Sequence, residues 1–141
     1  MKRRLVILGA GESGVGAAVL GKQKQYDVFV SDKGAIDSKY KDVLVKEGVA
    51  FEENKHTVEQ IINADIVVKS PGIPNSSNLI EQLNEKGVFT VSEIEFASWY
   101  TNAKLIGITG SNGKTTTTSL VYHILQHSGL NVGIGGNIGK S

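Results

Sequence analysis

No cysteine occurs among the 141 residues. Disulfides and thiolate metal centres are excluded, and the composition is compatible with a reducing cytoplasm. Proline occurs twice, and both copies, Pro71 and Pro74, fall in one loop, so no Pro-rich linker divides the chain. Formal charge nearly cancels, at +1. Without a basic excess, neither nucleic acid nor a membrane surface is the expected partner. Long apolar runs are missing as well. The start, MKRRLVILGAG, sets basic residues before an apolar run of about five residues. That is below the roughly 7–15 of a signal core and the roughly 20 of a membrane span. A buried first strand is the expectation.

What is present is a globular balance, 40% hydrophobic and 21% charged, in a length that suits one domain or one domain and part of another. Short apolar β-rich runs alternate with helical patterns. The runs are RLVILG (4–9), DVFVSD (27–32), VAFEE (49–53), DIVVKS (65–70), VFTV around Phe89, KLIGIT (104–109) and NVGIGG (131–136). Between them the pattern predicts helices over 13–25, 38–47, 57–63, 78–86, 92–100 and 114–127. Ser92 and Glu95 have the spacing of a capping box, and Ser128-Gly129 is a helix stop signal. Such alternation predicts an α/β fold, a parallel sheet with helices on both faces. The first five strands suffice for a small Rossmann-like domain. The last strand–loop–helix–strand unit begins a second α/β domain. The boundary is expected near residues 101–104, dividing 1–102 from 103–141.

The first domain opens on ILGAGESGVGAA, in which Gly9, Gly11 and Gly14 follow a strand and open a helix. Glycines let the backbone turn tightly and approach a phosphate, which then faces helix N-terminal amides. Asp32 ends the second strand, where a dinucleotide fold places the carboxylate that binds ribose hydroxyls. NAD is therefore one reading, and a nucleotide or sugar phosphate is the broader one. The loop SPGIP follows the fourth strand. Ligands sit beyond the C-terminal ends of parallel strands, so it can face the same crevice; a plain Pro-Gly turn is the alternative.

The second unit carries TGSNGKTT. Gly113, Lys114 and Thr115 fit the phosphate-loop pattern, but Ile108 stands where that pattern has its first glycine. The parts still make chemical sense. Helix-start amides can cradle phosphate oxygens, Lys114 supplies a positive charge and Thr115 a hydroxyl for Mg²⁺. His56, His123 and His127 suggest no metal site; His123 and His127 share a helix face, but no third ligand accompanies them.

GITGSNGKTTTT, followed by GLNVGIGGNIG, resembles the Mur ligases of bacterial cell-wall (peptidoglycan) synthesis. That family's loop has the Thr-Gly-x-Asn-Gly-Lys-[Ser/Thr] form, which accounts for Ile108. The stretches GAGESGVGAA, SPGIP and GGNIG are most similar to the member that joins D-glutamate to UDP-N-acetylmuramoyl-L-alanine. The resemblance implies a cytoplasmic, monomeric enzyme of three domains. The first holds the UDP-substrate without NAD, the central one binds ATP with Mg²⁺, and the third brings the amino acid. By the same resemblance Glu12, Ser13 and Gly14 face the UDP diphosphate, and Asp32 binds uracil with Lys33 beside it. Ser70, Pro71, Gly72 and Ile73 line the uridine side, and Asn137 reaches the diphosphate from the central domain. Ser111, Asn112, Gly113, Lys114, Thr115, Thr116 and Thr117 form the ATP loop, with Lys114 catalytic and Thr115 on the metal. On this reading the chain is the N-terminal part of a ligase, inactive alone, whose second unit exposes apolar surface and either docks on the first domain or pairs between chains. A small P-loop binding protein, an NAD-binding module and a different ligase specificity are the alternatives.

Overall fold

A computed structural model describes residues 2–136 of the chain. It falls into two compact units, Met1–Thr101 and Asn102–Ser141. Each is taken by itself.

The first unit runs β1 (Arg4–Leu8), α1 (Glu12–Gln23), β2 (Asp27–Ser31), α2 (Ser38–Lys46), β3 (Ala50–Glu52), α3 (Val58–Ile61), β4 (Ile66–Lys69), α4 (Asn78–Glu85), β5 (Phe89–Ser92) and α5 (Glu93–Ser98). All five strands pair in parallel, in the order β3-β2-β1-β4-β5. The alternation read in the sequence thus forms the parallel sheet expected of it.

Two-residue periodicity splits the strands' side chains between two cores. Leu5, Ile7, Val28, Val30, Ile66, Val68 and Val91 face one side, where they meet Val15 and Ala18 of α1, Leu44 of α2 and Phe96 of α5. Val6, Leu8, Phe29 and Val67 face the other, against Ile61 of α3 and Ile80 and Leu83 of α4. Leu5, Val6, Ile7 and Leu8 are all fully buried, so β1 is covered on both faces. Each such side chain contributes about 1.5–3 kcal/mol relative to exposure. The helix α1 packs through small residues. A Cβ at Gly21 would lie 2.5 Å from Leu5 Cδ2, so its closeness to the sheet depends on their size.

Helix ends follow local chemistry. Asp37 accepts the amide hydrogen of Lys39 at 3.0 Å ahead of α2. Ser92 accepts that of Glu95 at 3.2 Å ahead of α5, the cap that the Ser-x-x-Glu spacing implies.

The second unit contains one helix among its described residues, α6 (Lys114–His127), with the bounds read in the sequence. The strands expected over 104–109 and 131–136 do not form. A parallel strand is held by ladder bonds to a neighbour, and two short segments make no stable sheet by themselves. Leu105, Ile106, Leu120, Ile124 and Leu130 are more than half exposed, and α6 buries none of its residues. No helix among the described residues is long and apolar enough to cross a membrane.

Candidate functional site

Reversal of strand order between β1 and β4 opens a crevice beyond their C-terminal ends, the place where such sheets bind ligands. The loop after β1 (9–11) and the SPGIP loop after β4 flank it. They touch at their roots. Ser70 donates its amide hydrogen to Leu8 O at 3.0 Å. Gly9 has φ +103°, and a Cβ there would lie 2.9 Å from Ser70 Cβ. Gly14 is closer still to its surroundings: a Cβ would lie 2.0 Å from the Gly9 carbonyl oxygen. Glycine at both positions lets strand, turn and helix close up.

Gly11 precedes α1 and gives it no side-chain cap. The first helical amides lie outside the i−4 ladder, and together with the helix dipole they favour an anion. Glu12 and Ser13 are exposed on this turn and Gly14 is buried beneath it. The Ser13 hydroxyl donates to Glu93 Oε1 at 3.0 Å, a bond to the start of α5 that sequence reading missed.

Asp32 sits at the end of β2 and does two jobs in the backbone. Its Oδ2 accepts from the Ala10 amide at 2.6 Å, and its Oδ1 accepts from the Gly34 amide at 2.8 Å. The carboxylate therefore ties the first glycine loop to the turn after β2. Each oxygen keeps a second lone pair, so a ligand donor still fits. Lys33 beside it is exposed. Across the crevice, Lys69 Nζ donates to the Ile73 carbonyl at 2.7 Å and, at 3.4 Å, to that of Ser70, holding the SPGIP loop in shape. Pro71 and Gly72 stand exposed on that loop, and Ile73 packs on the second core.

A buried polar cluster lies next to Asp32. Ser31 is fully buried and Glu52 is 9% exposed. Ser31 Oγ donates to Glu52 Oε1 at 2.8 Å and lies 2.7 Å from Nδ1 of His56. Burial pushes the Glu52 carboxyl up, but the Thr57 hydroxyl and amide, the Ser31 hydroxyl and the Lys55 charge outweigh it and hold it below its ordinary 4.5. Burial is also the largest influence on His56 and lowers it below 6.5, against the charges of Asp32 and Glu52.

Both shifts give the same sign. A Glu held low contributes stability above the unfolded value, and loses it as pH falls through the folded one. A His held low binds fewer protons folded than unfolded, so stability falls as pH drops below 6.5. The melting temperature should therefore decline below about pH 6.5 and again below about pH 4.5. Glu52→Gln should shrink the lower step in a pH series of thermal melts and leave the part carried by Glu53, which the Lys41 ammonium and the Ile36 amide also hold below 4.5; an unchanged step would remove Glu52 from the account.

In the second unit, Gly113 precedes α6 with φ +73° and no side-chain cap. Lys114 Nζ donates to the carbonyls of Gly110 and, at 3.3 Å, Ser111, so the ammonium lies under its own loop. Ser111 to Thr117 are exposed. Among the described residues no group of three or more His, Cys, Asp or Glu could hold a metal ion. Thr115 carries an exposed hydroxyl on this loop. Asn137 lies outside the described residues.

Comparison with known proteins matches residues 4–79 to the MurD N-terminal domain and residues 108–141 to the Mur ligase middle domain. The chain belongs to the Mur ligase family. It is 65% identical over 139 residues to a UDP-N-acetylmuramoylalanine--D-glutamate ligase of Bacteroides fragilis, covering 99% of this chain and 31% of that protein. The ligase of the same name from Christiangramia forsetii is 57% identical over all of this chain and 32% of its own length. The chain thus spans about a third of the length of the curated relatives it matches. Among solved structures, a murein peptide ligase from Psychrobacter arcticus aligns over 90% of this chain and 27% of its own, at 27% identity and TM-score 0.66. A second such ligase, from Neisseria meningitides, aligns over 100% and 46% at TM-score 0.65 and 22% identity, a likeness of fold.

Proposed function

We propose that residues 1–102 of this Mur ligase chain form a UDP-substrate domain and that residues 103–141 begin an ATP-binding domain. The whole protein, of the relatives' length, joins D-glutamate to UDP-N-acetylmuramoyl-L-alanine in the cytoplasm. The observation that carries this reading is the meeting of the Gly9–Gly14 loop with SPGIP at the β1/β4 crevice, in a chain 65% identical to a relative that carries that ligase name.

Each residue then has a task. The helix-start amides at Ser13 and Gly14, with Glu12 beside them, hold the diphosphate. Asp32 receives the uracil, with Lys33 alongside, and Ser70, Pro71, Gly72 and Ile73 wall the uridine. Ser111–Thr117 cradle ATP. Lys114 disperses negative charge on the phosphates, and Thr115 offers its hydroxyl to Mg²⁺. When bound, ATP with Mg²⁺ supplies the phosphoryl group that converts a carboxylate, a poor electrophile, into an acyl phosphate. The amine then displaces phosphate to leave the amide.

Calorimetric titration of this chain with UDP-N-acetylmuramoyl-L-alanine, and in parallel with NADH, tests the reading. Heat from the UDP-sugar alone is expected. Heat from NADH alone would replace the substrate domain with a dinucleotide module.

A further inference from the structure

The cluster around Ser31 fixes more than its own packing needs. A serine hydroxyl has one proton. Three acceptors compete for it: Glu52 Oε1 at 2.8 Å, His56 Nδ1 at 2.7 Å and the Lys55 carbonyl at 3.4 Å. Glu52 also accepts from the Thr57 amide at 2.7 Å and the Thr57 hydroxyl at 2.5 Å, with the Lys55 ammonium 3.8 Å from its other oxygen. Ringed by donors, it is ionised, and a carboxylate can only accept. Ser31 therefore gives its proton to Glu52. Its lone pair faces His56, so Nδ1 carries the ring hydrogen. In the neutral ring Nε2 is then an acceptor. Nε2 makes no hydrogen bond among the described residues, and the ring is only half-buried.

His56 also stands in the right neighbourhood. The Lys55 amide donates to the Asp32 carbonyl at 3.3 Å, and the Asn54 amide to the Gly34 carbonyl at 3.0 Å. The turn after β3 is thus laid against the turn after β2. We infer that His56 is a nucleoside-recognition residue, its Nε2 accepting a hydrogen bond from an imide N–H or a ribose hydroxyl of the ligand beside Asp32. The chemistry selects that end of a nucleotide. An imidazole acceptor and a carboxylate both take hydrogen bonds and so suit neutral donors. This inference rests on the substrate-domain reading above. It assigns His56 a role that its isolated place in the sequence does not suggest.

Protonation would turn Nε2 from acceptor to donor and lose the contact. The charged groups around the ring are Asp32 and Lys33 after β2, and Glu52 and Lys55 at and after β3. The test is calorimetry of this chain with uridine diphosphate N-acetylglucosamine, whose diphosphate diester does not titrate between pH 5.5 and 8. The wild-type chain should bind more weakly at pH 5.5. His56→Asn keeps a donor for Ser31 and removes the acceptor; it should weaken binding about threefold to tenfold at pH 8 and flatten the pH dependence. His56→Gln, with an amide oxygen near the Nε2 position, should recover part of the loss. The analogue methylated at uracil N3, or lacking the 2′- or 3′-hydroxyl, that no longer distinguishes wild type from His56→Asn identifies the donor. Trp99 emission verifies the fold of each variant. If His56→Asn binds as wild type with the same pH slope, or if every analogue still distinguishes the two, the inference is overturned while the substrate-domain reading stands. If the wild-type chain binds no nucleotide sugar at pH 8, both fall.

Discussion

Gly14→Ala should be among the most destabilising single substitutions in this chain, costing upward of about 3 kcal/mol. The added Cβ would lie 2.0 Å from the Gly9 carbonyl oxygen and 3.0 Å from its carbon. Both are backbone atoms, so no rotamer change relieves the contact. Relief requires α1 to lift from the β1 turn. That turn is held by the Gly9 amide on Ser31 O at 2.9 Å and by the Ala10 amide on Asp32 at 2.6 Å. Gly16, two residues along the same helix, is the control. A Cβ there meets nothing within 4 Å. Gly16→Ala should leave stability unchanged or raise it by about 0.5–1 kcal/mol, because alanine loses less backbone entropy in a helix. Urea unfolding followed by the single tryptophan, Trp99, measures both. The Gly14 variant should also fail to bind a nucleotide sugar, since the displaced turn is the candidate diphosphate cradle. Equal midpoints for the two variants would refute the close approach of α1 to its loop.

Phe96→Ala should cost about 3–5 kcal/mol, a large share of the about 5–15 kcal/mol that holds a domain folded. Phe96 is fully buried and meets Tyr26, Trp99 and Tyr100 edge-on, at centroid distances of 5.9, 5.5 and 5.4 Å. It is also the apolar anchor of α5, six residues long and too short to persist without tertiary contacts. Loss of the ring should loosen α5 and with it Glu93, the partner of Ser13 in the first glycine loop. Phe89 offers the contrast. It stacks on Trp99 at 5.9 Å but is 54% exposed, so Phe89→Ala should cost about 1 kcal/mol. Denaturant melts of the two variants check the difference. A Phe96 variant no less stable than the Phe89 variant would mean that α5 is held by something other than its ring.

Local signals were legible wherever the physics is local. The apolar runs, the caps at Ser92 and α6, and both glycine loops each depend on residues a few positions apart. The one local expectation that failed, strands over 104–109 and 131–136, failed because a strand is a pairing rather than a propensity. His56 was read in the sequence only as no metal ligand, for a related reason. Nothing beside it in the sequence explains it, since its partner Ser31 lies 25 residues earlier.

By itself, then, the sequence determined the α/β alternation, the two phosphate-suited loops and the resemblance to Mur ligases. Only the tertiary structure set the first of those loops against SPGIP. The order β3-β2-β1-β4-β5 sets Gly9 against Ser70, brings the Ala10 amide to Asp32, and carries Glu93 across 80 positions to Ser13. The reason is that parallel strands need long crossovers. Residues that meet at their C-terminal ends are distant in sequence, and burial of both sheet faces, not any short motif, selects the order in which they meet.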